Sequence, residues 1–162
     1  MHHLHHIPTP FGRLGILGDG LAVTRIFFAD REPDGASAAP EDAVVGETPL
    51  LREAAAQLSA YLEGRLMTLD FPFSFPGGTP FQQQVWNVLL SIPYGETRSY
   101  KEVAALTGHP GAFRAVGQAC NKNPLALRVP CHRVVGADHR LTGYAGGLDI
   151  KAALLEMERG RN

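Results

Sequence analysis

Pro76-Gly77-Gly78, followed at once by Thr79-Pro80-Phe81-Gln82, splits this 162-residue sequence into halves with different periodicities. Proline and paired glycines interrupt helix and strand alike. A threonine cap with proline at the first helical position and glutamine three residues after the cap starts a helix. Residues 1–76 therefore read as one domain and 77–162 as another, small enough that each must close over a compact core. Before the break the pattern is mostly that of strands. Leu14–Leu17 and Leu21–Phe28 flank Gly18-Asp19-Gly20, a hairpin turn. Asp30–Glu47 is rich in Ala, Pro, Gly and acidic residues and reads as a solvated loop. Leu51, Ala54, Ala55, Leu58 and Leu62 recur at helical spacing, predicting a helix over Pro49–Glu63. Leu69, Phe71, Phe73 and Phe75 then alternate with small or polar residues, and Pro72 makes that run an edge strand. Nothing in this half carries evident chemistry.

Beyond the break the period becomes helical. The first helix faces Phe81, Val85, Val88 and Leu89 inward and ends in a turn at Pro93-Tyr94-Gly95-Glu96. Ser99-Tyr100-Lys101-Glu102 is a second capping box, opening a short helix with Val103 and Leu106 inward. After Thr107–Gly111 a third helix over Ala112–Asn121 packs Ala115, Val116 and Ala119 and leaves Arg114, Gln118 and Lys122 in water. Helix, short glycine-containing turn and helix form a helix-turn-helix pattern, which an ordinary packed hairpin also satisfies. The fold class is thus α+β: a small N-terminal antiparallel sheet with a helix, then a mostly helical, winged-helix-like domain.

Charge is uneven. Residues 1–76 hold five Lys/Arg against ten Asp/Glu, and residues 77–162 hold ten against six, a balance suited to a second half that meets phosphates. A hydrophobic fraction of 44% and a charged fraction of 19% exclude a disordered chain. No apolar run is long enough to span a bilayer, and the start MHHLHHIPTP lacks an apolar signal core, so a cytoplasmic protein without membrane partners is expected. Cys120 and Cys131, the two cysteines, read as reduced thiols rather than a disulfide framework.

Cys131 sits in Pro130-Cys131-His132-Arg133-Val134. Neighbouring side chains in an extended or tightly turned segment diverge, so a direct sulfur–imidazole bond is awkward. A bridging water could instead let His132 draw the thiol proton. A free thiol, with a pKa of about 8.5, is mostly unreactive at neutral pH without such help. The last helix, from near Asp149, turns Ile150, Ala153, Leu154 and Met157 inward and sets Glu158 at the edge of that face. A carboxylate there needs a partner: His132, which it would orient as in a triad, or Lys151 on the same side.

These residues resemble the O6-alkylguanine-DNA alkyltransferases. The likeness runs in order through Gly78-Thr79-Pro80-Phe81-Gln82, Ile92-Pro93-Tyr94-Gly95, Arg114-Ala115-Val116-Gly117, Asn123-Pro124, Pro130–Val134, Gly143–Gly147 and Lys151–Leu155 with Glu158. The first half matches loosely, in its order of elements, and the resemblance implies a ribonuclease-H-like domain there. It also implies a helix-turn-helix entering the minor groove of duplex DNA, with Ala115 and Gly117 as its small face. Lys101 and Arg114 would contact the DNA, Arg114 filling the gap left by a flipped nucleotide, and Tyr100 would drive the rotation. O6-alkylguanine, with O4-alkylthymine as a second candidate, would lie against the carbonyls of Cys131 and Val134, the Tyr100 hydroxyl, the Ala145 amide and the wall of Tyr144, and Asn123 would hinge the turn beneath. Cys131 would keep the alkyl group for good, with no cofactor and as a monomer. Ala145 stands where some members have serine. Some members hold zinc through cysteines in the first half; none precedes Cys120 here, no metal is assigned, and His2, His3, His5 and His6 receive no role. An alkyltransferase-like lesion sensor lacks the cysteine, an alkylation-switched regulator needs a further domain, and a thiol hydrolase would turn over.

Overall fold

The computed structural model describes residues 1–31 and 40–160, which form two compact units, Met1–Pro76 and Gly77–Asn162. In the first, β1 (His3–Thr9), β2 (Gly12–Gly18) and β3 (Val23–Phe28) make an antiparallel meander. A two-residue β4 (Val44–Val45) joins β1 in parallel, giving the order β3-β2-β1-β4 and a mixed rather than purely antiparallel sheet. β1 was not foreseen: its histidines obscure an alternation that puts Ile7 into the core. The hairpin turn is held by Asp19, whose carboxylate accepts from the amides of Leu21 and Ala22 at 3.0 Å, so β3 starts later than expected and Leu21 is exposed. Part of the expected Asp30–Glu47 loop lies outside the described residues; the remainder contains β4.

Helix α1 (Pro49–Leu62) is capped by the Thr48 hydroxyl and buries Leu51, Ala54, Ala55, Leu58 and Tyr61. The edge strand expected over 69–75 reduces to one parallel bridge between Val23 and Phe73. Alternation survives, since Phe71 is buried and Asp70, Pro72 and Ser74 are exposed. Pro72 has a carbonyl to offer Val23, at 2.9 Å, but no N–H with which to extend a ladder.

In the second unit, α2 (Pro80–Leu89) starts with the anticipated reciprocal capping box, Thr79 Oγ1 accepting from Gln82 N and Gln82 Oε1 from Thr79 N. Its buried face is Val85, Trp86 and Leu89, with Phe81 and Val88 only half-buried. Trp86 was missed as core; its indole N–H donates to the carbonyl of Ala119 at 2.8 Å, tying α2 to α4. β5 (Arg98–Ser99) leads into α3 (Tyr100–Leu106), where Val103 and Ala104 are buried. Leu106, expected inside, is 60% exposed, because the helix ends there and Ala104 takes the inward position. α4 (Phe113–Asn121) completes the helix-turn-helix and buries Val116 and Ala119. β6 (Val134–Val135) pairs with β5 in parallel. Asp138 and His139 then occupy the left-handed region at φ 58° and 61°, closing a tight turn in which Arg140 N donates to Ala137 O.

The last helix, α5 (Leu148–Gly160), buries Ile150, Lys151, Leu154, Leu155 and Glu158. Its inward face is therefore rotated from the expected one: Ala153 is exposed and Met157 half-buried, while two charged residues are inside. No described helix is long and apolar enough to cross a membrane.

Candidate active site

Asn123 begins the turn that presents the thiol. Its side-chain amide donates to Val129 O at 2.8 Å and its Oδ1 accepts from Leu125 N at 2.9 Å, which binds both ends of the segment between. Leu127 adopts φ 72°, a left-handed conformation that costs a non-glycine residue on the order of 1 kcal/mol and is held in place by these bonds. Cys131–Arg133 follow as one 3-10 turn with all three side chains buried. Burial, the dominant influence, raises the Cys131 pKa; the Asn123 side chain and the charge of Lys151 oppose it. The resting group is thus the neutral thiol.

Glu158 reaches the same turn from α5. Its Oε2 lies 2.8 Å from His132 Nε2, and Arg133 holds both oxygens in a fork, Nε to Oε1 at 2.8 Å and Nη2 to Oε2 at 3.0 Å. The remaining guanidinium nitrogen, Nη1, donates to Ile92 O at 2.7 Å. Burial alone would raise the Glu158 pKa, but the bonds from His132 and Arg133 outweigh it and bring the carboxyl to about 2. An ionised carboxylate can only accept, so His132 carries its proton on Nε2 and Nδ1 is the basic nitrogen. Burial, only partly offset by Glu158, lowers the His132 pKa and keeps the ring neutral.

Lys151 does not pair with Glu158. Wholly buried, it donates to Thr142 O at 2.7 Å and Gly143 O at 3.3 Å, and its Nζ lies 5.9 Å from the centre of the Tyr100 ring. Thr142 Oγ1 in turn donates to the Tyr100 hydroxyl at 3.1 Å. Lys151, Thr142 and Tyr100 thereby fasten the start of the segment that carries half-buried Tyr144 and exposed Ala145.

Of the site residues read from the sequence, Asn123, Cys131, His132, Val134 and Glu158 converge through the Cys131 turn. Tyr100 meets the start of the Tyr144–Ala145 segment. Lys101 and Arg114 are exposed instead, and the Lys101 ammonium lies 5.5 Å from the centre of the Phe113 ring at the start of α4. Ala115 and Gly117 are half-buried. A Cβ added at Gly117 would meet Tyr100 at 3.9 Å, an ordinary contact, so nothing inside the protein demands glycine there. Arg133 and Thr142 were overlooked. A charged residue standing among Val129, Cys131, Val134 and Val135 was the signal for the first; an exposed-looking threonine offers none for the second.

The family described as "6-O-methylguanine DNA methyltransferase, DNA binding domain" matches residues 80–160. The methylated-DNA–protein-cysteine methyltransferase of Mycobacterium bovis is 45% identical over 99% of this chain and 94% of its own. The constitutive protein of that name from Bacillus subtilis is 47% identical over 93% and 92%. The crystal structure of Mycobacterium tuberculosis OGT in complex with DNA superposes with a TM-score of 0.88 at 43% identity, covering 98% of this chain and 94% of that one. With its buried thiol, histidine and carboxylate in place, the chain belongs to the methylated-DNA–protein-cysteine methyltransferase family.

Proposed function

We propose that this protein repairs duplex DNA by taking the alkyl group of O6-alkylguanine onto Cys131. The observation that carries this reading is the convergence of Cys131, neutral His132 and ionised Glu158 on one buried turn of a helix-turn-helix unit. The Cys131 proton passes through one water to His132 Nδ1. The thiolate then attacks the alkyl carbon in line. A carbon–sulfur bond forms, the carbon–oxygen bond breaks with its electron pair left on guanine, and the base takes up a proton. A thioether resists water and cellular thiols, so each molecule acts once.

A base inside the stack cannot reach a thiol that is only 7% exposed, which requires the nucleotide to leave the duplex. Exposed Arg114 and the small residues Ala115 and Gly117 suit α4 to lie in the minor groove, Arg114 occupying the vacated position and Lys101 meeting phosphate. Tyr100, Tyr144, the Ala145 amide and the carbonyls of Cys131 and Val134 receive the base, while Asn123 steadies the turn. Residues 77–162 form the DNA-binding and acceptor domain, and residues 1–76 a ribonuclease-H-like one. The protein works as a monomer in a reducing, cytoplasmic setting that keeps Cys131 a thiol.

The test is to incubate the protein with excess duplex bearing one O6-methylguanine, record its intact mass and map the adduct. One methyl per chain on Cys131, without turnover, is expected. Tight binding with no mass change would overturn the transfer reading and leave a lesion-binding protein.

A further inference from the structure

A cysteine, a histidine and a carboxylate would suffice for the proton path, yet Arg133 is buried with them and takes both oxygens of the carboxylate that His132 uses. Its third contact, to Ile92 O, anchors the guanidinium to the turn after α2, so the fork does not depend on Glu158 for its position. The Tyr94 ring, 5.6 Å from the guanidinium carbon, covers it further. Glu158 Oε2 thus receives two donors at once, the imidazole N–H and the guanidinium N–H.

We infer that Arg133 is a positioning residue for alkyl transfer, fixing the Glu158 carboxylate and balancing its charge so that His132 remains a proton acceptor rather than the cation of a buried ion pair. This rests on the repair reading of the site. The physical reason lies in what a buried carboxylate requires. Two opposite charges already balance in the Arg133–Glu158 pair, so a proton added to His132 would be an unmatched charge shielded from bulk solvent. Without Arg133, Glu158 would be the unmatched charge and His132 would protonate to neutralise it. Imidazolium has no lone pair for the Cys131 proton.

The titratable and charged groups facing His132 are Cys131 and Arg133 on its own turn and Glu158 and Lys151 on α5. α2, also packed on that turn, carries no ionisable side chain. Arg133 and Lys151 both disfavour the imidazolium and Glu158 favours it. Lys151 is committed to the carbonyls of Thr142 and Gly143, which leaves Arg133 as the cation in contact with the carboxylate.

The test compares single-turnover alkylation by O6-methylguanine duplex from pH 5 to 9 in the wild type, Arg133→Met and Arg133→Lys, with thermal melts to verify folding. Methionine is expected to move the acid limb of the rate upward by about one to three pH units, the range for a charge at this distance, so the loss is large at pH 6 and small at pH 8.5. Lysine, which restores the charge without the fork, is expected to keep the limb near its wild-type position. A methionine variant with the wild-type limb, or a lysine variant shifted as far as methionine, would overturn the inference. Nitrogen NMR of the wild-type His132 ring decides independently, even if the methionine variant does not fold. The expected result at pH 7 is a protonated Nε2 and a bare Nδ1; an imidazolium or the opposite tautomer overturns the inference. That readout needs no DNA. Wild-type protein that never becomes alkylated would overturn the repair reading while the ring nitrogens still judge the part played by Arg133.

Discussion

Met1–Pro76 closes over Leu14, Ile16, Val23, Leu51, Leu58 and other apolar side chains, and Thr24 is its one buried polar residue among those described. Gly77–Asn162 buries Thr107, His132, Arg133, Lys151 and Glu158 alongside Val85, Leu89, Val103 and Ile150. Ion pairs divide in the same way. Arg13 and Asp30 meet at 2.8 Å in water, whereas Arg133 and Glu158 meet at the same separation out of it. A surface pair contributes little to stability, and a buried pair replaced by a well-packed apolar pair often leaves a protein no less stable. The buried charges of the second unit are thus the groups that the proposed chemistry would use, and among the described residues the first unit buries no charged side chain.

The largest effect that bears on this contrast comes from Glu158→Ala. Removing the carboxylate strands the Arg133 charge, so urea unfolding should show a loss of about 3–5 kcal/mol. Alkylation of the remaining folded protein should slow by roughly a hundredfold or more, since the base has lost its orienting partner. Asp30→Ala should leave the unfolding midpoint unmoved, and equal losses from the two changes would erase the distinction.

Acid should find the second unit first. Glu158 has a folded pKa of about 2, below its ordinary 4.5, so its contribution is complete above pH 4.5 and fades as the pH falls toward 2. His132, lowered from 6.5, has the same sign: its contribution is complete above pH 6.5 and declines below. Amide exchange at pH 4 should accelerate around residues 131–133 and 155–158 before it does in β1–β3. Uniform acceleration would break the comparison.

Leu58→Ala tests the other side. A wholly buried leucine of α1 should cost about 2–5 kcal/mol in urea, yet the protein that stays folded should alkylate at the wild-type rate. A smaller effect of opposite sign is expected from His139→Gly in the left-handed turn: a gain of about 0.4–1 kcal/mol, read as a raised thermal midpoint.

Much of the second unit could be read in advance because its signals are local. Capping boxes at Thr79 and Ser99 and the spacing of Val85, Leu89, Val103 and Val116 each lie within one turn of chain. The Cys131–His132–Glu158 set was legible through motif order and a carboxylate at the edge of an apolar face. Arg133 escaped because a charge in a buried run makes sense only once its partner, 25 residues on, is known. The inward face of α5 was misjudged for a related reason: hydrophobicity points Ala153 and Met157 inward, whereas the bonds available to Lys151 and Glu158 turn the helix. In the first unit β1 was lost because its pairing with β2 is decided by backbone hydrogen bonds, to which His3, His5 and His6 are indifferent.

Glu158 stands in the final turn of α5, two residues before the helix ends at Gly160, and helix ends open more often than helix middles. Every such opening would carry the carboxylate away from the imidazole. If Glu158 acts as proposed, the share of molecules ready to accept an alkyl group at any instant is the share in which this one turn is closed, with the guanidinium fork as its latch. Protection of the Glu158 amide against exchange would thus report readiness for repair before any DNA is added.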